Sequence, residues 1–123
     1  MKVLLSIKPE YADKILSGEK KFEFRKSIFK RENIQTIIIY ATMPVGKIIG
    51  EFDIESILSD APELIWDKTS QSSGISKSFF DSYFLNRTRA YAIEIKAVRK
   101  YKTPQNLCDL KLGLKAPQSF AYI

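Results

Sequence analysis

The chain has 123 residues, 45% of them hydrophobic and 12% aromatic, which is enough apolar surface for one folded domain over residues 1–123 and excludes global disorder. It contains no histidine and a single cysteine, Cys108, so Ser-His-Asp and Cys-His catalytic pairs, zinc sites and internal disulfides are excluded. The net charge of +6 is distributed in blocks, basic over residues 1–50, acidic over 51–81 and basic again over 82–123, a pattern that places phosphate-bearing partners before acidic ones.

Taken in chain order, Val3 to Ile7 reads as a strand, and Pro9 opens a helix carrying Tyr11, Ala12, Ile15 and Leu16 at helical spacing. Ser17-Gly18 ends that helix. From Lys21 to Lys26 the period falls to two, with Phe22 and Phe24 on one face of a strand and Glu23 and Arg25 on the other. Residues 28–33 are charged and read as a loop. Thr36 to Thr42 is a β-branched run expected of a central strand, and Met43-Pro44-Val45-Gly46 turns the chain.

Ile48, Phe52 and Ile54 alternate with Glu51, Asp53 and Glu55, predicting a long strand with an acidic outer face. Asp60 is the expected cap of a short helix, with Glu63 completing a capping box. Thr69 to Ser76 reads as an exposed loop. The next helix carries Phe79, Phe80, Tyr83 and Phe84 as a stripe expected to be core. Tyr91 to Lys102 reads as a long closing strand. Five or six strands joined by turns and two or three short helices predict an α+β fold, a small, mixed, mostly antiparallel β-barrel. No phosphate-binding glycine loop occurs, so a Rossmann-type fold is not expected, and with one cysteine, an opening too short in apolar residues for a signal peptide and no membrane-spanning segment a cytoplasmic protein is expected.

The densest polar cluster runs from Gly18 to Lys26. A helix ending on glycine and passing into a strand can set Lys20 or Lys21 at the mouth of a cleft, with Glu23 and Arg25 two residues on along one face. Arg25 there can clamp a phosphate or a base edge, and Glu23 can accept from an amine or orient Arg25. The alternative is a solvated ion pair of small energetic worth. Glu51, Asp53 and Glu55 are chemically able to hold Mg²⁺, although a solvated face explains them as well. Tyr11, Tyr40 and Trp66 fit base stacking and core packing equally, and Cys108 is expected to be an idle thiol.

The segments Leu5-Ser6-Ile7-Lys8-Pro9-Glu10-Tyr11, Ile15-Leu16-Ser17-Gly18-Glu19-Lys20 and Phe22-Glu23-Phe24-Arg25 together resemble the G-x-K-x-x-E-x-R signature of the ASCH domain, a family of the PUA-like superfamily of small β-barrels. The closing Ala116-Pro117-Gln118-Ser119-Phe120-Ala121-Tyr122 is similar to the ending of ASCH proteins described as predicted transcriptional regulators. The resemblance spans nearly the whole chain. It implies a cleft beside the first helix, lined by Lys20, Glu23 and Arg25 and open to RNA or a nucleotide; from the residues themselves, Lys8 and Lys21 are expected to add further cations. No cofactor and no metal are expected.

Some relatives hydrolyse N4-acetylcytidine with a lysine, a threonine and a glutamate, and another cleaves single-stranded RNA. Lys20 matches the hydrolase lysine, but Glu23 stands where those enzymes have threonine. A third group for such chemistry would have to come from Glu51 or Glu55. Glu23 is expected to hold Lys20 in its ammonium form, favouring a fixed cation over a base and predicting little or no amide hydrolysis. The resulting expectation is an RNA- or nucleotide-binding, regulatory domain. The alternatives are a hydrolase or ribonuclease using Lys20 and Glu23, or a protein-interaction module presenting its acidic middle to a basic partner.

Overall fold

A computed structural model describes residues 1–123, as six strands, four helices and one 3₁₀ turn. In chain order these are β1 (Lys2–Ile7), α1 (Pro9–Ser17), β2 (Phe22–Arg25), β3 (Thr36–Ala41), β4 (Lys47–Asp60), α2 (Pro62–Thr69), the turn Ser70–Ser72, α3 (Lys77–Tyr83), β5 (Ala90–Gln105), α4 (Leu107–Leu110) and β6 (Phe120–Tyr122). All strands join one sheet in the order β2-β5-β4-β3-β1-β6. The β1–β3 pair is parallel and the rest are antiparallel.

The continuous apolar character of β1 and β3 follows from burial on both faces of the sheet. Val3, Leu5 and Ile7 pack with Ile37, Ile39, Ala12 and Ile15 on the α1 side. Leu4, Ile38, Tyr40 and Ile48 face the other way, covered by Tyr101, Leu107, Leu110 and Leu114. Tyr40 is therefore a core residue. A third cluster joins Phe24, Ala90 and Ala92 of the β2–β5 end to Ile65, Phe80 and Phe84 of α2 and α3. Trp66 lies against Phe80 at 5.0 Å between ring centroids, so it too serves packing.

The sheet curls into a half-barrel whose two edges meet through a side chain instead of a backbone ladder. Arg25, on edge strand β2, donates from Nη1 to the Ser6 carbonyl of β1 at 3.3 Å and from Nη2 to Ser119 Oγ, next to the opposite edge strand β6, at 2.6 Å. This open seam is where the cleft lies.

Three local expectations are corrected. Asp60 ends β4 and does not cap α2: the ladder with β5 extends to the Asp60–Ala90 pair, the N-cap is Ala61, and Pro62 starts the helix without a side-chain cap. A capping box does occur, at Asn106 and Asp109 of α4. The aromatic stripe of α3 divides, with Phe80 and Phe84 in the core and Phe79 and Tyr83 only half-buried. In the acidic face, Arg99 forms two hydrogen bonds with Glu51 and two with Asp53. Hydrogen bonds from Arg99 and Thr36 hold the Asp53 carboxyl down at about 2.

Candidate nucleic-acid interface

Of the 34 acidic and basic side chains, only Lys20 and Glu23 are buried, at 2% and 7% exposure, and both line the same cleft. Burying a charge is costly unless it is paired or used, so their concentration in one cavity marks the site. The cleft has a volume of about 360 Å³. Lys8 and Tyr11 enter it from the start of α1, Lys20, Glu23 and Arg25 from the α1–β2 segment, Phe79 and Tyr83 from α3.

Local sequence explains how Lys20 arrives there. Gly18 adopts φ +87°, which an L side chain resists, and its N–H returns to the Ile15 carbonyl as the C-terminal cap of α1. Two residues later the Lys20 N–H bonds to the Lys14 carbonyl at 3.0 Å, so the G-x-K spacing fixes the lysine backbone against the helix end. The Lys20 side chain then lies across the Phe24 ring, with Nζ 4.6 Å from its centroid and 5.7 Å from that of Tyr11. Nζ donates to the Ser73 carbonyl at 2.6 Å.

The segment read as an exposed loop supplies this covering. Thr69 and Ser73 are buried, the Ser72 carbonyl accepts from the Lys21 N–H, and the Gly74 carbonyl accepts from Lys14 Nζ at 3.2 Å. Gly74 has φ +69°, and a Cβ there would come within 2.5 Å of Lys20 Cβ. Only glycine allows this backbone to close over the lysine stem.

Burial drives the Lys20 ammonium down to about 8; Glu23 opposes the shift and Lys14 adds to it. Glu23 thus acts in the direction expected from sequence, but desolvation exceeds it. Glu23 Oε2 accepts from Arg25 Nη1 at 3.2 Å, both side chains being about nine-tenths covered. This is not the solvated pair that the two-residue spacing also allowed.

Lys8 is exposed at the rim, 6.0 Å from the Phe79 ring. Lys21 is not brought to the cleft: it is exposed and lines a separate groove beside α2, its N–H held by the Ser72 carbonyl at 2.9 Å. Glu51 is not in the cleft either, being held by Arg99 and Tyr101, and Glu55 is exposed. No group of three or more Asp, Glu or Cys side chains is placed to hold a metal ion. Cys108 is exposed on α4. All the cations of the cleft come from the first basic block, while Arg99 of the second is committed to the acidic strand.

Sequence reasoning missed Ser6, Thr42 and Gln118 as lining residues. Thr42 follows β3, and Gln118 precedes β6. Only the strand order β3-β1-β6 brings them to the two sides of β1.

The small, curled, mixed sheet is the fold of an ASCH domain. Residues 5–105 match the ASCH domain family model, and the chain belongs to that family. Among its relatives, the ASCH domain-containing ribonuclease of Zymomonas mobilis is 30% identical over 123 residues, covering 98% of this chain and 82% of that protein. The large ribosomal subunit protein uL22 of Ureaplasma parvum is 32% identical over 122 residues, but the chain spans only 39% of its length. The crystal structure of ASCH from Zymomonas mobilis superposes with a TM-score of 0.91 at 28% identity, covering 99% of this chain and 87% of that one. No helix of the chain is long and apolar enough to cross a membrane.

Proposed function

We propose that this ASCH domain binds single-stranded RNA in the cleft and cleaves its phosphodiester backbone, with Lys20, Glu23 and Arg25 as the working residues. The observation that carries this reading is the convergence of the two buried charges and the Glu23-oriented guanidinium of Arg25 in one cavity. Likeness to the Zymomonas mobilis ribonuclease supports it. Arg25 has the planar donor fork suited to a phosphodiester, and Glu23 fixes its orientation. With a value of about 8, Lys20 is roughly nine-tenths protonated at pH 7, a cation that can also give a proton to the departing 5′-oxygen while the neighbouring ribose 2′-hydroxyl bonds to phosphorus and releases its own proton to water. A regulatory protein that binds without turnover is the second reading, favoured by that predominantly charged lysine.

Affinity for a labelled mixed-sequence RNA is expected to fall with salt, with a slope near 0.7 in log affinity per phosphate contacted. Glu23→Ala is expected to weaken binding about tenfold by releasing Arg25, and Glu23→Gln only about twofold, since the amide oxygen still accepts. Equal, near-unchanged affinities for both variants would remove Glu23 from the site.

The pH dependence separates lysine charge from lysine shape. As pH rises through 8, Lys20 loses its proton and wild-type affinity is expected to drop, whereas Lys20→Arg, which stays charged, holds its affinity through that range. Parallel profiles for the two proteins in the binding titration would contradict a cationic role for Lys20.

A further inference from the structure

Aromatic surface left open inside a cationic cleft calls for an occupant that is both flat and anionic. Phe80 and Phe84 are spent on the core, but their neighbours Phe79 and Tyr83 face the cavity, stacked within 11° at 6.2 Å, with Tyr11 tilted against Phe79 at 5.4 Å. Lys8 stands at the Phe79 edge of the cleft and pairs with no carboxylate. The aromatic wall and the cations together match a nucleobase carried on a phosphodiester.

The β1 side of the cleft supplies hydrogen-bonding groups. Thr42 is fixed by its N–H, which donates to the Ile7 carbonyl at 3.0 Å. Gln118 is pinned from both sides: the Pro117 carbonyl accepts from Ser6 Oγ at 2.6 Å, and the Ser119 carbonyl accepts from the Ser6 N–H at 3.1 Å. Ser6 spends its hydroxyl on Pro117 and Arg25 one Nη2 proton on Ser119, which leaves the Arg25 Nε–H without a partner in the chain. The Thr42 hydroxyl and the Gln118 carboxamide likewise bond to no group of the chain. A carboxamide offers one donor beside one acceptor, the complement of a base edge bearing the same pair.

We infer that Phe79, Thr42 and Gln118 form a subsite for a single unpaired nucleobase, stacked on Phe79 with its edge toward Gln118 and Thr42. This rests on the RNA reading above and extends it from the backbone to the base. The cleft volume of about 360 Å³ suits one nucleotide and excludes a duplex. Base identity at this position is then read by Gln118, while Lys20 and Arg25 act on the adjoining phosphate.

Titrating the intact protein with a uridine trinucleotide and with the same trinucleotide lacking all three bases, followed by NMR, tests the subsite apart from the backbone contacts. Wild type is expected to prefer the base-bearing ligand by roughly tenfold. Gln118→Ala, an exposed position whose truncation spares the fold, and Phe79→Leu, which keeps bulk but removes the ring, are each expected to reduce that preference to about twofold or less. Equal binding of the two ligands by wild type, or an undiminished preference in both variants, would overturn the subsite and leave RNA binding standing. Binding of neither ligand, together with no binding of longer RNA, would overturn the RNA reading itself.

Discussion

Replacing Lys20 by methionine is expected to raise the melting temperature at pH 7. The folded protein holds this ammonium at about 8, against an ordinary value of 10.5, chiefly because burial strips its water. A separation of that size corresponds to about 3 kcal/mol of stability given up to keep the charged lysine inside. Methionine has a similar length and no charge, but it leaves the Ser73 carbonyl without its donor, which costs about 1 kcal/mol. The net gain of about 2 kcal/mol translates to roughly 8 °C for a chain of this size.

The sign has a second consequence. Between pH 8 and 10 the unfolded chain holds a proton on Lys20 that the folded chain has released, so wild-type stability rises with pH in that window and the methionine variant lacks the rise. Above about pH 10 the trend reverses. Tyr11 and Tyr83 are both raised first of all by burial, and both resist ionisation in the folded state. Thermal melts of the two proteins across this range check the account. A methionine variant that melts below wild type at pH 7, with no difference in slope, would show that the lysine is held for structural reasons.

A function-first site that lowers stability is what the sequence pattern could only partly convey. The signature Gly18-x-Lys20-x-x-Glu23-x-Arg25 was legible because its parts are local: a glycine cap, a two-residue period and charges on alternate positions. The strand runs of β1, β3, β4 and β5 were legible for the same reason, since pleating and burial write themselves into nearest neighbours. The depth of Lys20 was not, because its cover is the Ser73–Gly74 backbone, more than fifty residues away, and a carbonyl leaves no trace in residue type.

The same limit explains the remaining misreadings. In α3 the i, i+4 pairs 79/83 and 80/84 are adjacent stripes, and only the positions of α1 and β2 decide which one faces the cleft. Lys21 belongs with Lys20 by charge and not by geometry. Asp60 has the chemistry of a cap, but strand pairing with Ala90 takes precedence, as tertiary context commonly overrides a local signal. Thr42 and Gln118 carry no pattern at all, since strand order alone assembles them.

The most direct measurement of the central claim is the cleavage of a 5′-labelled single-stranded RNA by the wild-type protein and by Lys20→Ala, resolved on a denaturing gel with and without Mg²⁺. Removing the group that meets the phosphate and protonates the leaving oxygen is expected to lower turnover by 100-fold or more, of the order general-acid catalysis supplies. Binding should weaken far less, because Arg25 and Lys8 remain in the cleft. A 2′-deoxy ligand of the same sequence is expected to bind and stay intact, because it lacks the attacking hydroxyl. Discrete RNA fragments from the wild type that vanish with Lys20→Ala, at near-normal folding and measurable binding, are the predicted result. Intact RNA with the wild type, or fragments undiminished by Lys20→Ala, would contradict it.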